Sequence, residues 1–295
     1  MLDEVFLEEL TRQLAPENIA AIVPLQIGAA VADATAKYLI RTQDRNFVLI
    51  ISNQVSPYLV QRAVERQTEA RSRLNAHAAE AIELPVYAGF IDGKSCALWP
   101  HRRPLSTSQI RGRIQKFLIA PKVFNWLREV CSQTARPGSL SDFICNVQRL
   151  QEIPGAPVAL KGAAEKALKL FQSGEIPPIH VAQHGDLHRG NVLRSPSENG
   201  FIVIDWAGAR MDGVPFFDLL AFSVSIGAPK FMLRRELRWH SQVLGCEPRH
   251  AMAYLLSGLG ALHAELEHFP EESFLRLCER KLSWLQLMAE HPEAN

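Results

Sequence analysis

The sequence has no dominant charge sign: 32 Lys and Arg stand against 31 Asp and Glu, and no block of five or more like charges occurs. That balance argues against a general nucleic-acid or membrane-surface binder, which carries a basic excess. Cysteine is sparse, odd in number and scattered: Cys96, Cys131, Cys145, Cys246 and Cys278, with no C-x-x-C pair. Reduced thiols in a cytoplasmic protein are the plain reading, and the spacing argues against a zinc cluster. Long apolar runs are absent too. The nearest, residues 251–262, is interrupted by two glycines and a serine and falls short of the ~18 residues that span a bilayer. The opening "MLDEVFLEEL" is acidic and lacks the basic start of a signal peptide. A soluble, cytoplasmic protein without membrane insertion is expected.

The chain has ample apolar material, 47% of its 295 residues, enough for one large or two modest domains. Leu2, Phe6, Leu10 and Leu14 recur every four residues, which predicts an amphipathic helix. Short β-like runs follow at 19–27, 35–42 and 46–52, then a charged helical segment at 57–79. The run "PVYAGFIDGKSCALW" reads as a hairpin turning at Asp92-Gly93, since both residues tolerate positive φ. Beyond "WPHRRP" the periodicity of 106–174 is helical, broken at Pro121, "ARPGS" and "IPGAP". Short strands are expected at 180–183, 191–194 and 201–205, and helices from Pro215 onward. The expected organisation is α+β: residues 1–100 a β-rich lobe, residues 101–295 a mainly helical lobe with a small β insertion.

That insertion carries the chemistry. "HGDLHRGNVL" (184–193) is followed by "FIVIDW" (201–206). Gly185 and Gly190 disfavour a helix, so His184 and His188, four apart, do not present the shared helix face that metal-ligand spacing requires. In a loop between strands, Asp186 can accept or orient a hydroxyl proton. Asn191 offers a neutral oxygen and Asp205 an anionic one, a set suited to Mg²⁺ bound together with phosphate oxygens. This is the division of labour of kinase-type phosphoryl transfer.

The segment "HGDLHRGNVL…FIVIDWAGARMDGVPFFDLLAF" resembles the aminoglycoside phosphotransferase/choline kinase family. That family shows H-G-D-x-x-x-x-N, then I-D-W or I-D-F, then G-D-P-x-x-D-L-A. The first two patterns match in full, and the third appears as "DGVPFFDLL". The resemblance implies a bilobal protein-kinase-like fold, with a small antiparallel N-terminal lobe, ATP or GTP as phosphate donor and Mg²⁺ as cofactor. It assigns Asp186 as catalytic, Asn191 and Asp205 as metal ligands, and Asp218 as a buried structural aspartate bonding loop backbone. It places Gly28 in the phosphate-covering turn and Pro100 in the connector whose backbone meets the base. Trp99 beside it is read as core rather than as a stacking partner for adenine.

The first lobe departs from the family pattern. The turn "QIGAAVADAT" holds only Gly28, and the strand that carries the family's phosphate-binding lysine reads "NFVLIIS", with Ile50 at the expected position and no Lys or Arg within 46–52. Glu69 matches the helix glutamate that pairs with that lysine. Lys37, just after the turn, is the expected substitute and the expected partner of Glu69, ahead of Arg41 on the same strand face. The implied activity is transfer of the γ-phosphate to a hydroxyl of a small polar molecule: a sugar, amino sugar or amino alcohol. A pseudokinase with a regulatory or binding role is one alternative, and a protein or lipid-headgroup kinase another. No A-P-E segment follows "IDW", and Asp218 comes 13 residues after Asp205, unlike a typical protein kinase. Basic residues at 229–250 oppose a polycationic acceptor, whereas Glu265, Glu267, Glu271 and Glu272 favour one.

Overall fold

The computed structural model describes residues 19–26, 35–106, 108–197, 200–265 and 270–289. The N-terminal helix expected over Leu2–Leu14 lies outside them, as do Gly28 and Glu267. Five antiparallel strands form the first lobe: β1 (Ile19–Gln26), β2 (Ala36–Thr42), β3 (Asn46–Ile51), β4 (Tyr87–Ile91) and β5 (Lys94–Pro100), in spatial order β1-β2-β3-β5-β4. Asp92 (φ 50°) and Gly93 (φ 71°) turn β4 into β5, as their tolerance of positive φ predicts. Side chains alternate across the sheet. Ile40, Phe47, Leu49, Ile51, Cys96 and Leu98 form a small core on one face, while Lys37, Val48, Ile50 and Trp99 line a cavity on the other. Helix α1 (Leu59–Ser72) packs on the cavity side through Leu59, Val60, Ala63 and Gln67, and the short α2 (Ala76–Ala79) follows it.

The connector after Pro100 is tied to the second lobe. Pro104 bridges Leu193, and the Arg194 N–H donates to the Arg103 carbonyl at 3.0 Å. Helix α3 (Gln109–Thr134) then continues through Pro121, where the sequence predicted a break. The proline removes one bond, to the carbonyl of Phe117, on a turn open to water. Burial of Ile119, Ala120, Val123, Phe124 and Leu127 outweighs that loss. The remaining elements are β6 (Arg136–Pro137), α4 (Leu140–Glu152), α5 (Val158–Gln172), β7 (Ile179–Gln183), β8 (Val192–Arg194), β9 (Phe201–Val203), β10 (Arg210–Gly213), α6 (Phe217–Ile226), α7 (Lys230–Leu244), α8 (Ala251–His263) and α9 (Glu271–Ala289). Strands β10-β7-β6 form one small sheet and β8-β9 a hairpin. A large core runs from α1 to α9. Four of the cysteines are wholly or partly buried in it or in the sheet core. Burial raises the Cys96 and Cys246 thiols to about 11 and those of Cys131 and Cys278 to about 12, so they stay protonated. The fold is bilobal and kinase-like, an antiparallel sheet followed by a helical lobe.

Candidate active site

Two loops are held against each other by backbone and imidazole. The first, 184–191, joins β7 to β8; the second, 204–209, follows β9. The Asp186 N–H donates to His184 Nδ1 (3.3 Å), which leaves Nε2 as the donor to the Ile204 carbonyl (2.9 Å). The imidazole also packs edge-on against Trp206, centroids 4.7 Å apart. His184 is therefore structural. His188 accepts the Gly190 N–H through Nδ1 (2.9 Å), and its Nε2 lies 3.6 Å from Asp186 Oδ2. The two histidines do not form a metal pair.

Gly185 (φ 86°) lets the loops touch, because a Cβ there would sit 2.3 Å from the Gly208 carbonyl oxygen. Asp218, at the start of α6, accepts the N–H groups of His184 and Gly185 (3.0 Å for the latter). Burial pushes its carboxyl pKa up, against the opposing pull of His184 and the two amides. The expected structural aspartate is thus found bonded to the loop backbone.

This scaffold brings Asp186, Asn191 and Asp205 together. Asn191 is buried, and its side-chain amide donates to the Asp186 carbonyl (2.9 Å) and approaches Asp186 Oδ2 (3.4 Å). Its own carbonyl accepts the Ile204 N–H (3.0 Å), one residue before Asp205. Asp205 stands two residues past the end of β9 in the left-handed region (φ 66°, ψ 64°), which Asp tolerates better than most side chains. The Asp186 side chain is 70% exposed and Asp205 is exposed too, so both carboxylates remain open to ligands. The oxygen pair of Asn191 and Asp205 suits a hard cation that keeps water and phosphate in its shell. No group of three or more His, Cys, Asp or Glu able to hold a metal occurs among the described residues.

Asp205 also closes one end of a cavity of about 260 Å³ between the lobes. Val48, Ile50 and Trp99 form its apolar roof, Leu193 and Ile204 its floor, Pro100 its back edge, and Lys37 stands among them. Trp99 is half-buried in this wall, not in the core as expected, because Leu98 takes the core face and its neighbour on the strand must take the other. Glu69 departs from expectation as well. It is exposed on α1 and paired with Arg73 (3.2 Å), not with Lys37. The helix phase turns Gln67 inward instead, where its amide donates to the Glu83 carbonyl (2.6 Å).

The sequence reading missed the apolar floor, the Glu83–Arg102 ion pair at the cavity edge, and Lys281. The Lys281 ammonium on α9 lies 4.4 Å over the Phe217 ring. Burial lowers its pKa, and the charges of Asp218 and Asp186 oppose that shift. The doubled arginine of "WPHRRP" was a signal for the Glu83–Arg102 pair; nothing local marked Lys281.

Residues 165–252 match the model of the phosphotransferase enzyme family, called APH. No curated protein matches the chain at the level of sequence. Among solved structures, a thermostable mutant of aminoglycoside phosphotransferase APH(4)-Ia in ternary complex with ADP and hygromycin B superposes with a TM-score of 0.56. The identity is 14%, covering 94% of this chain and 97% of that one. Choline kinase LicA from Streptococcus pneumoniae gives a TM-score of 0.54 at 14% identity, covering 97% and 98%. In the segment that holds Asp186, Asn191, Asp205 and Asp218 the chain matches the phosphotransferase enzyme family, and over nearly its whole length it shares the fold of an aminoglycoside phosphotransferase and a choline kinase.

Proposed function

We propose that the chain is a phosphotransferase that moves the γ-phosphate of ATP or GTP to a hydroxyl of a small polar molecule. The observation that carries this reading is the apposition of the two loops. The Asn191 amide bonds the backbone carbonyl of Asp186, whose carboxylate is exposed, and the Asn191 backbone carbonyl holds the turn of Asp205, a second exposed carboxylate that lines an apolar cavity. The base would lie between Val48, Trp99 and Leu193, with the connector backbone at Pro100 along its edge. Lys37 would neutralise phosphate charge in place of the lysine absent from β3. Asn191 and Asp205 would hold Mg²⁺, which when bound neutralises phosphate oxygens and aligns them for in-line transfer. Asp186 would orient the acceptor hydroxyl and take its proton.

The named solved structures contain ADP with hygromycin B in one case and are a choline kinase in the other, which supports a nucleotide donor and a small hydroxyl acceptor. A regulatory pseudokinase is the weaker reading, since the cavity keeps a lysine and Asp205, and the sequence keeps Asp186 on the adjoining loop. The test is thermal denaturation with ATP or GTP, each with and without Mg²⁺, followed by a nucleotide-consumption screen over sugars, amino sugars and amino alcohols. A Mg²⁺-dependent rise in melting temperature with either nucleotide is expected. No shift with either one refutes the assignment.

A further inference from the structure

His188 uses its two ring nitrogens differently. Its backbone is extended (φ −136°, ψ 171°), and it caps the short turn Arg189–Asn191, where Nδ1 accepts the Gly190 N–H at 2.9 Å. A cap needs only an acceptor, and the shorter side chains of Ser, Thr, Asn and Asp are the usual ones. Imidazole brings a second nitrogen as well. With Nδ1 accepting, the neutral ring carries its proton on Nε2, and Nε2 lies 3.6 Å from Asp186 Oδ2.

The ring is seated rather than loose. A Cβ on Gly190 would lie 2.6 Å from His188 Cε1 and 3.0 Å from Nδ1, so the imidazole rests directly on that glycine. The His188 carbonyl accepts the Asn191 N–H at 3.0 Å, which ties the same backbone to the neighbouring amide. The Asn191 side-chain nitrogen in turn approaches Asp186 Oδ2 at 3.4 Å. Two N–H groups therefore converge on one carboxylate oxygen. Among the described residues no hydrogen bond reaches Asp186 Oδ1, and the side chain is 70% exposed.

From this we infer that His188 is a positioning residue: its Nε2–H, with the Asn191 amide, holds Asp186 Oδ2 and leaves Oδ1 as the oxygen that takes the acceptor's proton. The inference rests on the phosphotransfer reading of Asp186 and assigns the two oxygens of its carboxylate separate tasks. As the acceptor oxygen bonds the γ-phosphorus, the bond to the departing nucleoside diphosphate breaks. The hydroxyl proton passes to Oδ1 and from there to water. A carboxylate pinned at one oxygen presents the other in a fixed direction, and small misplacements of a reacting group are costly in rate. The 3.6 Å approach shortens when the acceptor binds, as hydrogen bonds of catalytic groups commonly do. The competing account is that His188 caps its turn and does nothing more.

The experiment separates the two nitrogens. His188→Ser keeps an acceptor for the Gly190 N–H and removes the Nε2–H. It should melt close to the parent and bind Mg-ATP or Mg-GTP equally well. Its kcat should fall by about tenfold or more with KM for the acceptor nearly constant, the pattern of an interaction made in the transition state. Turnover is measured with whichever sugar, amino sugar or amino alcohol the parent phosphorylates. His188→Gln, whose amide restores an N–H donor, should recover most of the loss. Long-range nitrogen–proton NMR of the histidine-labelled parent, at mildly alkaline pH, reads the ring without any turnover. The His188 signal, recognised by its absence from His188→Ser, should be that of the Nε2–H tautomer. Full turnover in His188→Ser, an equal loss in His188→Gln, or an Nδ1–H tautomer each overturns the inference and leaves the phosphotransfer reading intact. A parent that phosphorylates no member of the panel removes that reading, and the inference with it.

Discussion

Lys37 on β2 and Ile50 on β3 are directly paired across the antiparallel ladder, and both side chains line the interlobe cavity. Paired residues on one face of such a ladder hold their Cβ atoms about 4.5–5.5 Å apart. A lysine moved from β3 to the opposed position on β2 therefore keeps its access to the same space. Arg41, paired with Asn46 at the far end of the ladder, does not line the cavity.

Nucleotide affinity should follow that geometry. Lys37→Met is expected to raise the dissociation constant of Mg-ATP by about tenfold or more, the loss of one charge-assisted contact of ~1.5–3 kcal/mol. Arg41→Met should change it little. Adding Ile50→Lys to Lys37→Met should restore most of the affinity, because the new ammonium starts from the neighbouring site. Calorimetric titration reads all three, and equal affinity in Lys37→Met and the parent would discard the substitution of one lysine for the other.

The two acidic positions should separate kinetically. Asp186→Asn removes the group that receives the hydroxyl proton and should lower turnover by about 10²-fold or more with nucleotide affinity nearly intact. Asp205→Asn removes the anionic metal ligand and should weaken Mg²⁺-nucleotide binding first. Steady-state rates beside nucleotide titrations distinguish the cases. If both variants merely melted at lower temperature, the aspartates would be structural.

The site's local half was legible in the sequence. Asp186, Asn191, Asp205 and Asp218 sit within one short stretch, where glycine and strand signals place Asp186 in a loop, Asn191 and Asp205 at strand ends and Asp218 at the head of an apolar run, without reference to the rest of the chain. The hairpin at Asp92-Gly93 and the order of short strands were legible for the same reason. The misreadings concern phase and register. Glu69 and Gln67 differ by two helix positions, and only the packing of α1 decides which of them turns inward. Trp99 and Leu98 differ by one strand position, and only the sheet's two faces decide which is core. Pro121 signals a helix end locally, but the burial of Val123 and Phe124 against the second lobe overrides it. Lys281 stands over Phe217, the residue before Asp218, from the last helix, a relation no local pattern contains.

The contact between Gly185 and Gly208 predicts a sharp contrast between two glycines. Gly185→Ala meets both a positive φ, which strains a non-glycine residue by about 1–3 kcal/mol, and a backbone oxygen 2.3 Å from the new Cβ. The backbone cannot yield there without parting the two loops. Gly93→Ala meets a positive φ of 71° but no atom within 4 Å, so it should cost only the conformational strain of about 1–2 kcal/mol. Chemical denaturation should show the larger loss for Gly185→Ala, and its turnover should fall as well. Equal losses would mean that the loop contact carries no constraint beyond φ.

Acid stability should report on His240. It is buried on α7, and its Nδ1–H donates to the Glu236 carbonyl at 2.8 Å. Burial lowers its pKa; the Glu236 carbonyl and carboxylate and the Leu127 backbone pull the other way, and Arg128 adds to the lowering. The folded protein thus holds the imidazole neutral at a pH where the unfolded chain, near the ordinary value of about 6.5, already binds a proton. The unfolded state then binds more protons, so stability falls as pH drops. The contribution is present above the unfolded value and is lost as pH falls toward the depressed folded value. Urea denaturation of the parent should therefore show a loss of stability between about pH 7.5 and 5.5. His240→Gln lacks the titrating group and should lose less over the same interval, whatever its starting stability. Equal losses in the two proteins would show that other groups set the acid limb and that His240 is not held neutral by its burial.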